Sequence, residues 1–201
     1  MKNKAPIRQL QLFGHSAKAI GNCCLVNNSR IGIVCSRHCP GDVILKTYDF
    51  ALLVRGSGLT IVSGFHSPIE KDCLPILLRG SAHVIIVQAH RLSTSRLPVD
   101  WQKAMDAGRL LLLSPFQEKD KRVTTELATE RNRFAAAICD EVLIPYAAPG
   151  SKTEALFRDL IASGKRVYTF ESHSNAAMIS AGAVAIAPDF FRSGSVSSVS
   201  A

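Results

Sequence analysis

From residue 30 onward the chain repeats one alternation: a short run rich in Val, Ile and Leu, then a longer segment with helical spacing of its apolar residues. The β-rich runs fall at 31–35, 59–65, 83–89, 109–114, 141–146, 166–170 and 183–187. Helical periodicity covers 42–55, 69–79, 100–107, 125–138 and 152–163, with a short segment near 175–180. About seven strands alternating with helices predict an α/β domain, a Rossmann-like, mostly parallel sheet with helices on both faces. The strands are apolar nearly throughout, as they must be when helices bury both faces. Gly56, Gly58, Gly80, Gly108, Gly164 and Gly182 stand just before strands, where a left-handed helix cap is expected. The reading places the domain at 29–191, after a basic, irregular lead-in over 1–28 and before a Ser-rich tail over 192–201 that is expected not to pack.

In an open parallel sheet, ligands gather beyond the carboxyl ends of the strands, so the loops there are where chemistry is expected. The segment Ala148-Pro-Gly-Ser-Lys-Thr-Glu-Ala-Leu156 joins a strand to a helix. Gly150 permits a tight turn, Ser151 and Thr153 carry hydroxyls, and Lys152 carries charge. The helix start adds free N–H groups and the positive end of its dipole, so the junction suits phosphate. A Ser that simply caps the helix produces the same pattern. After the first strand, Cys35-Ser36-Arg37 places an Arg where it can clamp a phosphate. The second strand ends in Ser63-Gly64-Phe65-His66. His66 and Glu70 together suggest acid–base work, although a carboxylate in a first helical turn is more often structural. The stretch from Phe116 to Phe134 interleaves Lys119, Lys121, Arg122, Arg131 and Arg133 with aromatic rings, a pattern suited to single-stranded nucleic acid.

Charge agrees with that direction: 24 Lys and Arg against 16 Asp and Glu give a formal net charge of +8, which favours a polyanionic partner. No apolar run approaches the roughly 20 residues of a membrane helix, and a cytoplasmic protein is expected. None of the six cysteines forms a Cys-x-x-Cys pair, so reduced thiols are expected. Cys35, His38 and Cys39 lack the second half of a zinc site, and neither metal nor cofactor is expected. A P-loop requires Gly immediately before the Lys and another Gly five residues upstream of it, where this chain has Ser151 and Tyr146.

In order along the chain, Cys35-Ser36-Arg37, Ser63-Gly64-Phe65, Arg131-Asn132-Arg133, Gly150-Ser151-Lys152-Thr153 and the 175–183 segment resemble the DprA/Smf family of the SLOG superfamily. That family carries Gly-Ser-Arg, Ser-Gly, Arg-Asn-Arg, Ser-x-Thr and Asn-x-x-Ile-x-x-Gly-Ala at the corresponding places. The resemblance implies binding of single-stranded DNA and loading of a RecA-type recombinase in natural transformation or repair, with a homodimer as the family's assembly. It assigns nucleic-acid or phosphate contacts to Ser36, Arg37, Ser63, Gly64, Lys119, Lys121, Arg131, Asn132, Arg133, Gly150, Ser151, Lys152 and Thr153. The chain departs from the family where Cys35 replaces the first Gly, and on the helix after the Ser-Gly turn, where the family's Gly-Ile-Asp and following His give way to Ser67-Pro68-Ile69-Glu70-Lys71-Asp72-Cys73-Leu74 without that His. It reads as a short, stand-alone, divergent member. The alternative is a nucleotide-binding sensor, or an enzyme resembling the nucleoside-monophosphate phosphoribohydrolases of the same superfamily. Glu154 stands two positions early for that enzyme loop, so a non-catalytic binding protein is the preferred reading.

Overall fold

The computed structural model describes residues 6–93, 97–116 and 124–192. Its nine strands form one sheet in the order β1-β2-β6-β5-β4-β3-β7-β8-β9. The strands expected from the sequence are β3 (Arg30–Ile33), β4 (Thr60–Ser63), β5 (His83–Val87), β6 (Leu110–Ser114), β7 (Glu141–Leu143), β8 (Val167–Phe170) and β9 (Val184–Ile186). All of their mutual pairings are parallel. The connecting helices are α1 (Gly41–Val54), α2 (Pro68–Arg79), α3 (Val99–Asp106), α4 (Thr125–Ala137), α5 (Lys152–Ala162) and α6 (Ala176–Ser180). Two apolar layers pack on the sheet. One gathers Phe134, Ala135, Leu156 and Phe157 of α4 and α5 with Val142, and the other gathers Val43 and Phe50 of α1 and Leu77 of α2 with Ile61.

The order decides where a ligand can sit. β3 lies in the middle with β4, β5 and β6 to one side and β7, β8 and β9 to the other, so the chain reverses direction of growth between β3 and β7. Loops leaving two adjacent strands toward opposite faces part there and leave a crevice at their carboxyl ends. Backbone pairing persists past the strands themselves: Val34 N–H donates to Leu143 O, and Ser36 N–H donates to Tyr146 O at 3.0 Å.

The lead-in over 1–28 requires correction. Residues of that segment form an antiparallel hairpin, β1 (Arg8–Leu12) and β2 (His15–Gly21), and β2 pairs antiparallel with β6. The alternation that makes it a strand pair is present, since Leu10, Leu12, Ala17 and Ala19 turn inward while Gln9 and Gln11 are exposed. The turn between them is Phe13-Gly14, both at positive φ (50° and 80°). That is the conformation of a two-residue hairpin loop, but Phe is not a residue that announces it. Gly21 then passes close to β6, where a Cβ would stand 2.3 Å from Leu110 O. The Asn22 amide donates to Gly108 O at 2.7 Å, which docks the hairpin onto the sheet edge.

Of the glycines before strands, Gly108, Gly164 and Gly182 have positive φ, whereas Gly56, Gly58 and Gly80 do not. Gly80 serves space instead: a Cβ there would meet Arg55 O at 2.3 Å. The tail from 193 lies outside the described residues, as do Lys119, Lys121 and Arg122. Among the described residues no helix is long and apolar enough to cross a membrane.

Candidate nucleic-acid interface

A crevice of about 530 Å³ opens at the reversal point between β3 and β7. The loop after β3 contributes Ser36, Arg37 and His38, and the turn after β4 contributes His66 and Ser67. α4 contributes Arg131 and Asn132, and the junction before α5 contributes Ser151, Lys152 and Thr153. The N-caps of three helices line it: Ser67 of α2, Thr124 of α4 and Ser151 of α5. Each cap hydroxyl accepts an N–H of its own first turn. The positive ends of three helix dipoles therefore converge on one cavity, which favours an anion before any side-chain charge is counted.

The walls are fastened together by side chains chosen for that purpose. Ala148 N–H donates to Ser36 Oγ at 2.9 Å, and Ser36 Oγ lies 3.2 Å from Ser151 Oγ. Ser151 accepts from Glu154 N–H at 3.1 Å, while the Glu154 carboxylate accepts from Gly150 N–H. The helix-cap reading of this junction holds, and Ser151 in capping α5 also holds the helix start against the loop of β3. Gly150, at φ 72°, makes the turn but does not line the crevice. Glu154 is bound to Arg158 and Gly150, whose hydrogen bonds hold its carboxyl below the usual range, so the carboxylate is engaged in the turn.

Glu70 has the same kind of role on the opposite wall. It is only 4% exposed. One oxygen accepts from Cys35 N–H at 2.8 Å, and the other accepts from Ser63 Oγ–H at 3.1 Å and from His66 N–H at 2.9 Å. Both oxygens are engaged, so the His66–Glu70 pair resolves as a structural tie between the β3 and β4 turns rather than an acid–base pair. Ser63 itself also accepts from Phe65 N–H, and it lies beneath the surface rather than in the crevice. The turn holds Phe65 at φ 48°, an uncommon conformation for a buried aromatic residue that the Ser63 and Glu70 bonds maintain.

Arg131 is the feature that the sequence could place only as a surface cation. Its side chain is buried, the residue being 4% exposed, and it rests on Gly64. A Cβ at Gly64 would lie 2.4 Å from Arg131 Nε and 2.6 Å from Cζ, so the Ser-Gly turn is the seat of this guanidinium. Asn132 Oδ1 accepts from Arg131 Nε and Nη2 at 3.1 and 2.8 Å. Desolvation lowers its pKa and Glu70 opposes that shift; an Arg keeps its charge in such a place. Arg37, by contrast, is exposed. Arg133 projects elsewhere, pairing with Asp159 of α5 at 3.1 Å beside a shallow neighbouring depression.

Of the residues singled out from the sequence, Ser36, Arg37, Arg131, Asn132, Ser151, Lys152 and Thr153 line the crevice together. Ser63 and Gly64 lie under it, Gly150 and Arg133 stand outside it, and Lys119 and Lys121 fall outside the described residues. The sequence reading missed Thr124, Thr125 and Thr129 of α4. Their signal was the Thr-Thr-Glu start of a helix, the same cap pattern that drew attention to α5. Among the described residues no group of three or more His, Cys, Asp or Glu is placed to hold a metal.

A family model, DNA recombination-mediator protein A, matches residues 15–189, and so spans the crevice and every strand from β2 to β9. The chain belongs to that family. The chain is similar in fold to DNA processing protein A (DprA) from Streptococcus pneumoniae, with a TM-score of 0.70 at 19% identity. The similarity covers 87% of this chain and 64% of that one, so the chain spans less than two thirds of that relative. DprA from Helicobacter pylori gives a TM-score of 0.67 at 20% identity, over 84% of this chain and 80% of that one. A molybdenum cofactor binding protein from Rippkaea orientalis shares the fold more distantly, with a TM-score of 0.55 at 13% identity over 81% and 91%. No curated protein matches the chain in sequence.

The seat of Arg131 gives a direct prediction for the family's Ser-Gly turn. Gly64→Ala puts a methyl group into the space of the guanidinium. Overpacking of this kind costs about 1–3 kcal/mol. The expected result is a stability loss in that range, with repositioning of Arg131; chemical denaturation of Gly64→Ala, alone and with Arg131→Met, measures it. The coupled pair should lose less than the two single changes summed, and strict additivity would count against the seat.

Proposed function

We propose that the crevice between β3 and β7 binds the backbone of single-stranded DNA and that the protein acts as a recombination mediator. The observation that carries this reading is the convergence of three helix N-termini with Arg37, Arg131 and Lys152 around one cavity whose lining carboxylate, Glu70, is engaged by the protein itself. Such a site is built for phosphate. Arg37 and Lys152 are exposed and free to follow a flexible strand, while Arg131 is a fixed charge in the wall. Family membership and the single-stranded DNA binding of the Helicobacter pylori relative support the choice of polymer. Loading of a RecA-type recombinase and assembly as a homodimer are part of the same proposal, and rest on the family alone.

Titration of a labelled oligonucleotide at increasing salt is the test. Affinity should fall linearly on a log–log plot with a slope of about −0.7 for each phosphate neutralised. A flat salt response would overturn the reading. The second reading, a single nucleotide as ligand, is favoured by the concave shape and 530 Å³ size of the crevice, a volume within the range of small-molecule sites. Under it, a mononucleotide would compete with the oligonucleotide at equal site concentration instead of being far weaker.

His66 adds a pH dependence. Burial, then the charges of Arg131, Lys71 and Arg37, lower its pKa, and Glu70 opposes them in part. In the free protein the imidazole is therefore neutral near pH 7, and a bound phosphate raises its pKa by supplying the opposite charge. Binding then takes up a proton, so affinity rises as pH falls toward the lowered pKa of His66 in the free protein, by at most about tenfold per pH unit. The same lowered pKa means that the stability contributed by neutral His66 is present above about 6.5 and is lost as pH falls below it. Oligonucleotide titrations at pH 7.5 and 5.5 with native protein and His66→Gln measure the effect, which the substitution should remove.

A further inference from the structure

The loop that carries Arg37 begins and ends in cysteine, Cys35-Ser-Arg-His-Cys39. Both cysteines belong to one small apolar cluster with Ala51 of α1 and with Ile69 and Cys73 of α2. Cys35 is buried and anchored, its N–H held by Glu70, whereas Cys39 is half-buried and reachable from solvent. Cys39 packs against the cluster that holds Cys35. Two thiols in one cluster at the two ends of a five-residue loop, one fixed and one accessible, have the arrangement of an attacking and a resolving cysteine.

We propose that Cys35 and Cys39 form a reversible disulfide that closes the Arg37 loop into a small ring. The effect on DNA rests on the function proposed above; the ring itself does not. The Cys39 sulfur attacks one sulfur of a small disulfide such as oxidised glutathione. A mixed disulfide forms on Cys39 and one glutathione leaves as thiolate, taking up a proton. The Cys35 sulfur, giving up its proton to solvent, then attacks Cys39 Sγ and expels the second glutathione. Two protein thiols are oxidised to one disulfide while one small disulfide is reduced to two thiols. Donation from Cys35 holds the Cys39 pKa down, against the opposing effects of burial and Asp42, and so favours the attacking thiolate. Cys35, whose pKa is raised by the same bond and by burial, is the protonated partner.

Cys73 belongs to the same cluster but is fully buried on α2, so a small disulfide arriving from solvent meets the half-buried Cys39 first. The ring leaves Ser36 and Arg37 at its apex. Ser36 stays tied to Ala148 and Tyr146, but Arg37 loses the freedom with which it reaches across the crevice. Oxidation is expected to weaken oligonucleotide binding about tenfold, and dithiothreitol to restore it.

The test incubates the full chain with oxidised glutathione and maps its thiols by mass spectrometry, alongside oligonucleotide titrations. The expected product has lost two hydrogens, carries no glutathione and links Cys35 to Cys39. Cys24→Ser, at an exposed and distant thiol, forms the same link; Cys39→Ser does not form it and keeps its affinity under oxidant. Recovery of free Cys35 and Cys39, a lasting glutathione adduct on Cys39, or a link from either to Cys73 overturns the proposal. A mapped ring with unchanged affinity overturns its effect on the crevice. Failure of reduced protein to bind any oligonucleotide would count instead against the proposed function, leaving the ring to stand on the map.

Discussion

Arg37→Ala is expected to weaken oligonucleotide binding by tenfold to a hundredfold, while leaving the melting temperature where it was. The side chain is exposed, lines the crevice and takes no part in the bonds that fasten its walls. Its loss therefore removes an interaction with the ligand and nothing from the fold. A charge-assisted hydrogen bond to phosphate contributes about 1.5–3 kcal/mol, which sets the range. The salt slope should shrink by about 0.7 for the one phosphate no longer neutralised. Arg37→Lys should recover part of the affinity, since Lys restores the charge but not the planar fork. Titration by fluorescence anisotropy at several salt concentrations, with thermal melts of both variants, measures all three quantities. An affinity within twofold of native, or a parallel fall in melting temperature, would place Arg37 outside the interface.

Glu70→Ala is expected to do the reverse, lowering stability by about 3 kcal/mol and taking binding with it. Three donors converge on this buried carboxylate: Cys35 N–H, Ser63 Oγ–H and His66 N–H. Removal leaves them buried without an acceptor, at about 1–3 kcal/mol for each that water cannot reach. The Phe65 turn, already at positive φ, loses the bonds that hold it. Glu70→Gln keeps one carbonyl oxygen but turns an NH₂ toward donors, so it should recover only part of the loss. Urea denaturation gives the numbers, and a loss below about 1 kcal/mol for the Ala variant would show that the carboxylate is not the tie between the two turns. The contrast is diagnostic. Arg37 is exposed at the surface of the crevice, whereas Glu70, in the first turn of α2, is bonded into its wall.

The two helix-start motifs show how much of the site was legible. Ser151 and the residues after it read equally well as a phosphate loop and as a helix cap, because both uses exploit the same unpaired N–H groups. Only its 3.2 Å approach to Ser36, more than a hundred residues earlier, shows that the cap also fastens the wall of a crevice. Arg131 and Arg133 look equivalent in sequence. In the structure one is buried on Gly64 and the other pairs with Asp159 in solvent, a division set by which face of α4 meets the sheet. The N-terminal hairpin went unread because its two-residue turn is Phe-Gly, which carries none of the usual turn chemistry.

The sequence alone determined the alternation of elements, and with it a mostly parallel sheet with helices on both faces. Those follow from periodicity, which reports whether a residue is buried and needs no knowledge of its neighbours. Strand order was decided only in three dimensions: β3 lies beside β7, separated from it by most of the domain's length, and their parting makes the crevice. The inward or outward direction of each cation was decided there as well. A guanidinium reaches as far as its stem allows, and whether it meets a glycine seat, a carboxylate or open solvent depends on packing between segments that no local pattern records.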